Sequence, residues 1–369
     1  SIILFLPHLY WQFVNDFPSV KFHWNERNSG GYLFSYTTEY LLAQPFILGP
    51  FIGLLLIYLG FVFKPQDLFE RSLKFLIIGT YVFFFLMTFK GRVEGNWTTI
   101  ALTPLLYIGY AHIERSEKLK KLTYYSFAIS LPVILLVRVV LIGNFLSPKY
   151  SLVRYPEVKK WAHELNKKSE SRPAAFMNSY TKASLYEFYS GVPALGLSNV
   201  WGRKNQYSTW DTEAGIQGKS VVVVANYPMP DRDSIDFSKE YQPYAIIDNF
   251  RSFSNLSITS NLPKQVRAKP SSSLDITVKF DETNNNHRDL EANADYPSRV
   301  VYSFLQGTTA IEMHAFDFQL KNDMVNNGKE YKLAITTPAT PGVYNFFLSV
   351  GTGWLPVGIN SKKVEFIIE

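Results

Sequence analysis

Residues 41–63 read "LLAQPFILGPFIGLLLIYLGFVF", a run without a single charged side chain. A helix that crosses a bilayer takes about 20 consecutive, largely apolar residues, so this run predicts a membrane span. Working outward, residues 75–89 ("FLIIGTYVFFFLMTF") are shorter, but Lys74 and Lys90 flank them and can extend the span by snorkelling. Residues 95–113 are again free of charge, and 122–145 carry only Arg138. The pattern predicts four full spans and a partial one over 1–14. The alternative is a buried helical core.

The composition divides the chain. Residues 38–145 are dominated by Leu, Ile, Phe, Val and Tyr, whereas 146–369 have ordinary polar content with Asn-, Ser- and Pro-rich turns. A length of 369 residues accommodates two or three domains. The net charge of +6 comes without a concentrated basic stripe, which argues against a nucleic-acid partner. With no cysteine there is no disulfide, thiolate nucleophile or Cys-based zinc site. The chain opens "SIILFLPHLYW", an apolar run with neither a basic leader nor a small-residue cleavage site. That opening reads as the tail of a membrane helix that begins upstream.

Basic loops set the expected orientation. Lys64, Arg71 and Lys74 in 64–74, and Arg115, Lys118, Lys120 and Lys121 in 114–121, place both loops in the cytoplasm. The loops 15–37 and 90–97, and everything after 146, then face outward. This puts "KGRVEGNW" (90–97) on the outer side, where Lys90, Arg92 and Arg138 run against the positive-inside bias. Charges at a membrane edge on the unexpected side mark a functional site. The cations suit a lipid-linked phosphate, whereas Glu94, Asn96 and Trp97 suit a sugar. The competing reading is that each cation snorkels to lipid phosphates and Trp97 anchors the loop.

Beyond the apolar half, 156–169 ("PEVKKWAHELNKKS") predicts a helix, with Trp161 and Leu165 spaced i, i+4. Strand "AAFMNSY" (174–180), helix "TKASLYEFYSG" (181–191) and buried strand "KSVVVVANY" (219–227) complete a small α/β layer. No Gly-rich phosphate loop follows a strand. In "NVWGRKNQYSTWD" (199–211), Arg203, Gln206 and Tyr207 are candidates for a sugar or headgroup contact; a solvated loop resting on the interface is the equal alternative. From about 255 the pattern turns to alternation, as in Leu274, Ile276, Val278 and Phe280, with turns at "NNNH", "NNG" and "TPATPG". That is the pattern of an antiparallel sandwich. His287 and His314 are isolated, and no metal spacing is visible.

The stretches "LPHLYWQFVNDFPSVKFHWNERN" (6–28), "FKGRVEGNWTTIALTPLLYIGYA" (89–111) and "RPAAFMNSYTKASLYEFYSG" (172–191) together resemble bacterial membrane glycosyltransferases of the GT-C fold. The similarity is to the branch of the protein O-mannosyltransferases and the lipid A aminoarabinose transferase, in a Bacteroidetes-type form, and covers roughly residues 1–240. The resemblance implies transfer of a sugar from a polyprenyl-phosphate donor to a glycan, lipid or protein acceptor at the periplasmic face of the inner membrane. It implies a catalytic acidic residue in a first external loop that is not in this sequence, and it leaves a divalent metal open as a cofactor.

The expected architecture is therefore multi-domain. It comprises an α-helical transmembrane bundle (1–147), a periplasmic α/β domain (148–244) and a periplasmic, Ig-like antiparallel β-sandwich (245–369). In the donor site, Lys90, Arg92 and Arg138 hold the phosphate, and Glu94, Asn96 and Trp97 face the sugar. His23, Glu26 and Arg27 in "FHWNER" are candidates to shape the acceptor site. Two functions compete. One is a glycosyltransferase; the other is a non-catalytic membrane subunit that presents the β-sandwich to a protein partner.

Overall fold

The computed structural model describes residues 2–14, 17–21, 31–143, 155–208, 210–226, 233–237, 240–282, 290, 297–307, 309–353 and 355–369. The chain forms two compact units, Ser1–Val153 and Arg154–Glu369. The His23, Glu26 and Arg27 candidates, and His287, lie outside the described residues.

The first unit is helical: α1 (Ile2–Val14), α2 (Pro18–Lys21), α3 (Phe34–Leu48), α4 (Pro50–Val62), α5 (Leu68–Met87), α6 (Leu102–Ile113) and α7 (Glu117–Gly143). A 3-10 stretch, Gly95–Ala101, leads into α6. The 41–63 run does not form one continuous helix. Pro50 has no N–H to continue a helix and biases the residue before it away from helical backbone. Gly49 takes that position with φ 111°, outside the range comfortable for side-chain-bearing residues. The axis turns by 102° between α3 and α4. A Cβ on Gly53 would lie 2.1 Å from the Pro45 carbonyl oxygen, so only glycine permits this fold-back. Ser130 of α7 completes the break, its Oγ accepting from the Phe51 and Ile52 N–H groups at 3.2 and 3.3 Å. That is a helix N-cap supplied by another helix.

This overturns the expected multi-span bundle. Among the described residues one helix, α7, is long and apolar enough to cross a membrane, or two if the bent α3–α4 pair counts as one span. Of residues 75–89, the first thirteen are the apolar part of α5 (Leu68–Met87), whose first two turns carry Glu70, Arg71 and Lys74, and Asp67 caps it by accepting from the Glu70 N–H at 2.7 Å. Residues 95–113 are split between the 3-10 stretch and the short α6. Continuous hydropathy sees residue type but not where the backbone turns.

In the second unit, α8 (Tyr155–Lys168), β1 (Ala174–Met177), α9 (Tyr180–Ser190), β2 (Ala194–Leu197), β3 (Val221–Val224), β4 (Ser234–Phe237) and β5 (Glu240–Ile247) build an α/β layer. Its sheet order is β2-β1-β3-β5-β4, with β1 parallel to both β2 and β3 and β5 antiparallel to β3 and β4. Every residue of β1, β2 and β3 is buried, as for central strands covered on both faces. Ser179 caps α9 by accepting from the Lys182 N–H, and Gly191 closes it in the left-handed conformation. The expected division at 244/245 falls inside β5.

The remaining strands are β6 (Leu256–Ser260), β7 (Gln265–Ala268), β8 (Ser273–Glu282), β9 (Ser298–Gln306), β10 (Thr309–Gln319), β11 (Tyr331–Thr336), β12 (Gly342–Thr352) and β13 (Val364–Ile368). They form two sheets, β10-β9-β12-β13-β7 and β11-β8-β6, over one core. Phe304, Phe346 and Phe366 meet at its centre with ring centroids 5.1–5.2 Å apart. The β13–β7 pair is parallel, a departure from a wholly antiparallel sandwich.

Candidate functional site

The stretch 88–98 connects α5 to α6 by lying along α3. Helix α5 runs antiparallel to α3: the Tyr40 hydroxyl donates to the Tyr81 carbonyl at 3.0 Å, and Thr37 meets Thr88 at 2.8 Å. The chain then turns back and follows α3 in its own direction. Arg92 stands beside Glu39, Gly95 packs against Ala43 and Ile47, and Thr98 donates to Gln44 Oε1 at 2.5 Å. Val93 is the apolar peg that holds this course, buried among Tyr40, Ile77 and Leu105.

A chain of hydroxyls underlies it. Thr88 Oγ1 donates to the Phe85 carbonyl at 2.7 Å, which spends its only proton. Thr37 must therefore donate to Thr88, and the Tyr32 hydroxyl, 3.2 Å away, must donate to Thr37. Gln44 is buried and donates to the Tyr40 carbonyl at 3.1 Å.

Above these groups lie the charges. Arg92 Nε is 3.6 Å from Glu39 and 4.0 Å from Glu94, so one guanidinium serves two carboxylates. The Arg92 side chain is 62% exposed, and ion pairs so open to water contribute little, about 0–1 kcal/mol. They are exchangeable pairs. Lys90 is half-buried in the turn that ends α5, its N–H donating to the Met87 carbonyl.

Opposite charges also fix which end of the unit this is. Arg115, in the turn between α6 and α7, lies 3.9 Å from Glu70 in the first turn of α5. Lys118, Lys120 and Lys121 are therefore at the end of α5 opposite to Lys90 and Arg92, roughly 30 Å away by the length of a 20-residue helix.

The expected site is assembled in part. Arg92 and Glu94 are together, with Glu39 as a partner the sequence reading did not single out. Asn96 is exposed and its carbonyl accepts from Thr99 Oγ1. The Trp97 ring is half-buried, 5.8 Å from Phe84, so part of its surface is already covered. Arg138 is exposed on α7, two turns beyond Ser130, and no hydrogen bond or ion pair among the described residues joins it to the stretch. In the second unit, Arg203 and Gln206 are exposed, but Tyr207 is buried, its hydroxyl 3.1 Å from Ser184 Oγ. Tyr207 is a core residue of the α/β layer. Among the described residues no group of three or more acidic or histidine side chains is gathered as a metal site.

No protein-family model matches the chain, and no curated protein does. Among solved structures it is similar to the CARDB domain of a Pyrococcus furiosus protein, determined in solution by NMR. The identity is 17%, over 31% of this chain and 96% of that one, with a TM-score of 0.18. A likeness at that score carries no argument about fold or activity.

Proposed function

We propose that the chain acts in transferring a sugar from a polyprenyl-phosphate carrier to a lipid, glycan or protein acceptor at the outer face of a bacterial inner membrane, as a glycosyltransferase or part of one. The observation that carries this reading is the set of charges Lys90, Arg92 and Glu94 on one short, largely non-helical stretch, with Glu39 of α3 paired to Arg92 beside it. Helix α7 supports the membrane setting. Ser130 is its only buried residue, and Leu131, Leu135 and Leu136 are exposed. An apolar helix so little covered by protein belongs in apolar surroundings. Its basic first turns and single distal Arg138 favour a cytoplasmic start and an outer end.

On this reading the donor phosphate displaces the carboxylates from Arg92 and takes its fork, with Lys90 as a point charge. The acceptor's hydroxyl oxygen bonds to the anomeric carbon and gives its proton to the acidic residue that the resemblance implies in a first external loop. Meanwhile the anomeric C–O bond breaks and its electron pair leaves on the polyprenyl phosphate; both cations stabilise that growing charge more in the transition state than before. Glu39 and Glu94, released from Arg92, face the developing oxocarbenium-like carbon.

The test is transfer from a radiolabelled polyprenyl-phosphate sugar by the full-length protein in nanodiscs, with donor binding measured in parallel. Losing a charged hydrogen bond to phosphate contributes about 1.5–3 kcal/mol, so Arg92→Ala lowers transfer roughly tenfold to a hundredfold. Glu94→Gln and Glu39→Gln reduce turnover more than donor binding. Unchanged transfer in Arg92→Ala and Lys90→Ala would remove the cluster from the reaction.

A specific observation favours a second reading. Arg92 is already satisfied by two carboxylates, as a structural residue would be. A non-catalytic membrane subunit, offering its β-sheet domain to a protein partner, then fits. Donor binding and transfer both absent from the full-length protein would select it.

A further inference from the structure

Four large aromatic side chains stand out on the α/β layer of the second unit. Tyr180, Phe188, Trp201 and Trp210 are all exposed, Phe188 the most at 78%. Apart from Ile246 in β5, no other large apolar side chain is exposed among the described residues of 155–247. All four belong to α9 or to the stretch that follows β2.

Packing joins those two segments into one surface. Strands β1 and β2 are parallel, so α9 and 199–210 leave the sheet at the same edge. Gly202 lies against Asn178: a Cβ there would meet Asn178 Oδ1 at 2.2 Å. Gly196 lets two tyrosines approach, since its Cβ would stand 3.0 Å from the Tyr207 ring and 3.1 Å from the Tyr180 Cα. Buried Tyr207 bridges the segments, its hydroxyl 3.1 Å from Ser184 Oγ and its ring centroid 5.7 Å from that of Trp210. On α9, Tyr180, Ser184 and Phe188 follow at i, i+4 and i+8, one row of the helix. Arg203 and Lys204 are exposed between the two tryptophans. The exposed acids on the same segments are Glu187 and Asp211.

Contiguous exposed apolar side chains mark interaction sites. The kind of partner follows from the composition. Among the described residues of 178–211 no Leu, Ile, Val or Met is exposed, so the surface has aromatic rings and cations but no aliphatic centre. Rings with an apolar body and a polar tip, set among cations, suit the interfacial layer of a bilayer, which is apolar on one side and wet on the other. Chain continuity supplies the bilayer. Tyr155 starts α8 twelve positions after Gly143 ends α7, a short tether that gives the layer a high effective concentration of the membrane α7 enters.

We propose that the α/β layer docks on the bilayer surface through Tyr180, Phe188, Trp201 and Trp210, with Arg203 and Lys204 toward anionic headgroups. This rests on the membrane setting of α7 in the proposed function, and not on the transfer reaction.

The experiment places a nitroxide at single cysteines in the full-length protein in nanodiscs. This chain is free of cysteine, and the unsubstituted parent gives the background. The positions are Thr181→Cys and Gln206→Cys on the surface, Lys264→Cys between β6 and β7, and Leu135→Cys on α7. Oxygen, enriched in lipid, and a water-soluble nickel chelate report which phase surrounds each label. Labels at 181 and 206 are expected to be shielded from nickel relative to 264, and the label at 135 to lie in lipid. In discs containing phosphatidylglycerol, Arg203→Gln with Lys204→Gln lowers the docked-to-undocked ratio about fivefold for each cation. In phosphatidylcholine discs the same pair changes it little. Trp201→Ser with Trp210→Ser restores nickel access at 181 and 206 in both lipids. If that pair fails to fold, the test stands on the charge variant, whose side chains are exposed. An equal effect of the charge variant in both lipids would overturn the anionic contacts. Nickel access at 181 and 206 equal to that at 264, with 135 still in lipid, would overturn the docking and leave the transfer reading standing. A label at 135 in water would overturn the membrane setting, and both proposals with it.

Discussion

Asn360 ties three separate segments of the second unit together, and its removal is the most exposed consequence of this structure. Its Nδ2 donates to the carbonyls of Phe253 and Leu256 at 2.7 and 2.8 Å, and its Oδ1 accepts from the Val350 N–H of β12 at 2.8 Å. The side chain is 2% exposed, so water does not replace these bonds. Asn360→Ala leaves one N–H and two carbonyls unmet. A single buried orphan costs about 1–3 kcal/mol, and the carbonyls retain second lone pairs, so about 3 kcal/mol for the set is a fair expectation. Against a total stability of about 5–15 kcal/mol that is a large share. For a unit of this size each kcal/mol moves Tm by about 2–4 °C, so Tm should fall by about 6–12 °C. Ser361→Ala, which removes the acceptor of the Leu348 N–H and an exposed bond to the Lys362 carbonyl, should cost roughly a third as much. Hydrogen exchange gives the local reading: the Val350 amide loses protection in Asn360→Ala while the amides of β1 and β3 keep theirs. A cooperative melt within about 2 °C of the parent, with Val350 still protected, would refute the claim that this side chain stitches the segments.

Ser130→Ala removes the acceptor for two N–H groups at the start of α4 and should lower stability by about 1–2 kcal/mol, as loss of an N-cap does, with Ser130→Thr recovering part of it in a chemical melt. Burial raises the phenol pKa of Tyr186, and burial together with the nearby Asp233 raises that of Tyr244. The folded state then keeps protons that the unfolded chain gives up near pH 10, so stability holds below that pH and falls as pH rises beyond it. Tyr186→Phe should flatten, though not abolish, the decline of Tm between about pH 9 and 11; an unchanged slope would show that Tyr186 contributes nothing to it. A double-mutant cycle between Arg92→Ala and Glu39→Gln should give a coupling under about 1 kcal/mol that shrinks with added salt, because both side chains are more than half exposed. A coupling above about 2 kcal/mol would mean that the pair is desolvated in the protein's own setting.

Local patterns carried the second unit well. Trp161 and Leu165, four residues apart, both turn inward from α8, and Leu274, Ile276, Val278 and Phe280 share the inward face of β8. In these elements one face meets one core, so periodicity reports burial directly. The helical unit fails that condition. Its side chains are apolar on all faces, so periodicity is weak, and element ends depend on single backbone events. The Gly49–Pro50 step was visible, but its 102° turn depends on Gly53 admitting the Pro45 carbonyl and on Ser130 arriving from a helix 79 residues beyond Phe51. A length rule for spans has no access to that.

The polar density of "KGRVEGNW" has two separate causes, and only one points to function. Residues 88–98 are largely non-helical backbone laid against an apolar helix, where unmet carbonyls are expensive. Threonines answer that need: Thr88 donates to Phe85, Thr99 to Asn96, and Thr98 stands 3.0 Å from the Gly95 carbonyl. From α3, Gln44 Oε1 accepts from Thr98 and Thr37 donates to the Thr88 hydroxyl, and the long sequence separations, 54 and 51 residues, kept them out of view in the sequence. No backbone requirement calls for Lys90, Arg92, Glu94 and Glu39. The Arg92, Glu39 and Glu94 side chains are 62%, 56% and 44% exposed, so their ion pairs add little to stability. The balance of two cations and two carboxylates, held loosely enough to exchange partners, is therefore the part of the stretch that folding does not explain. It is where a charged ligand has something to displace.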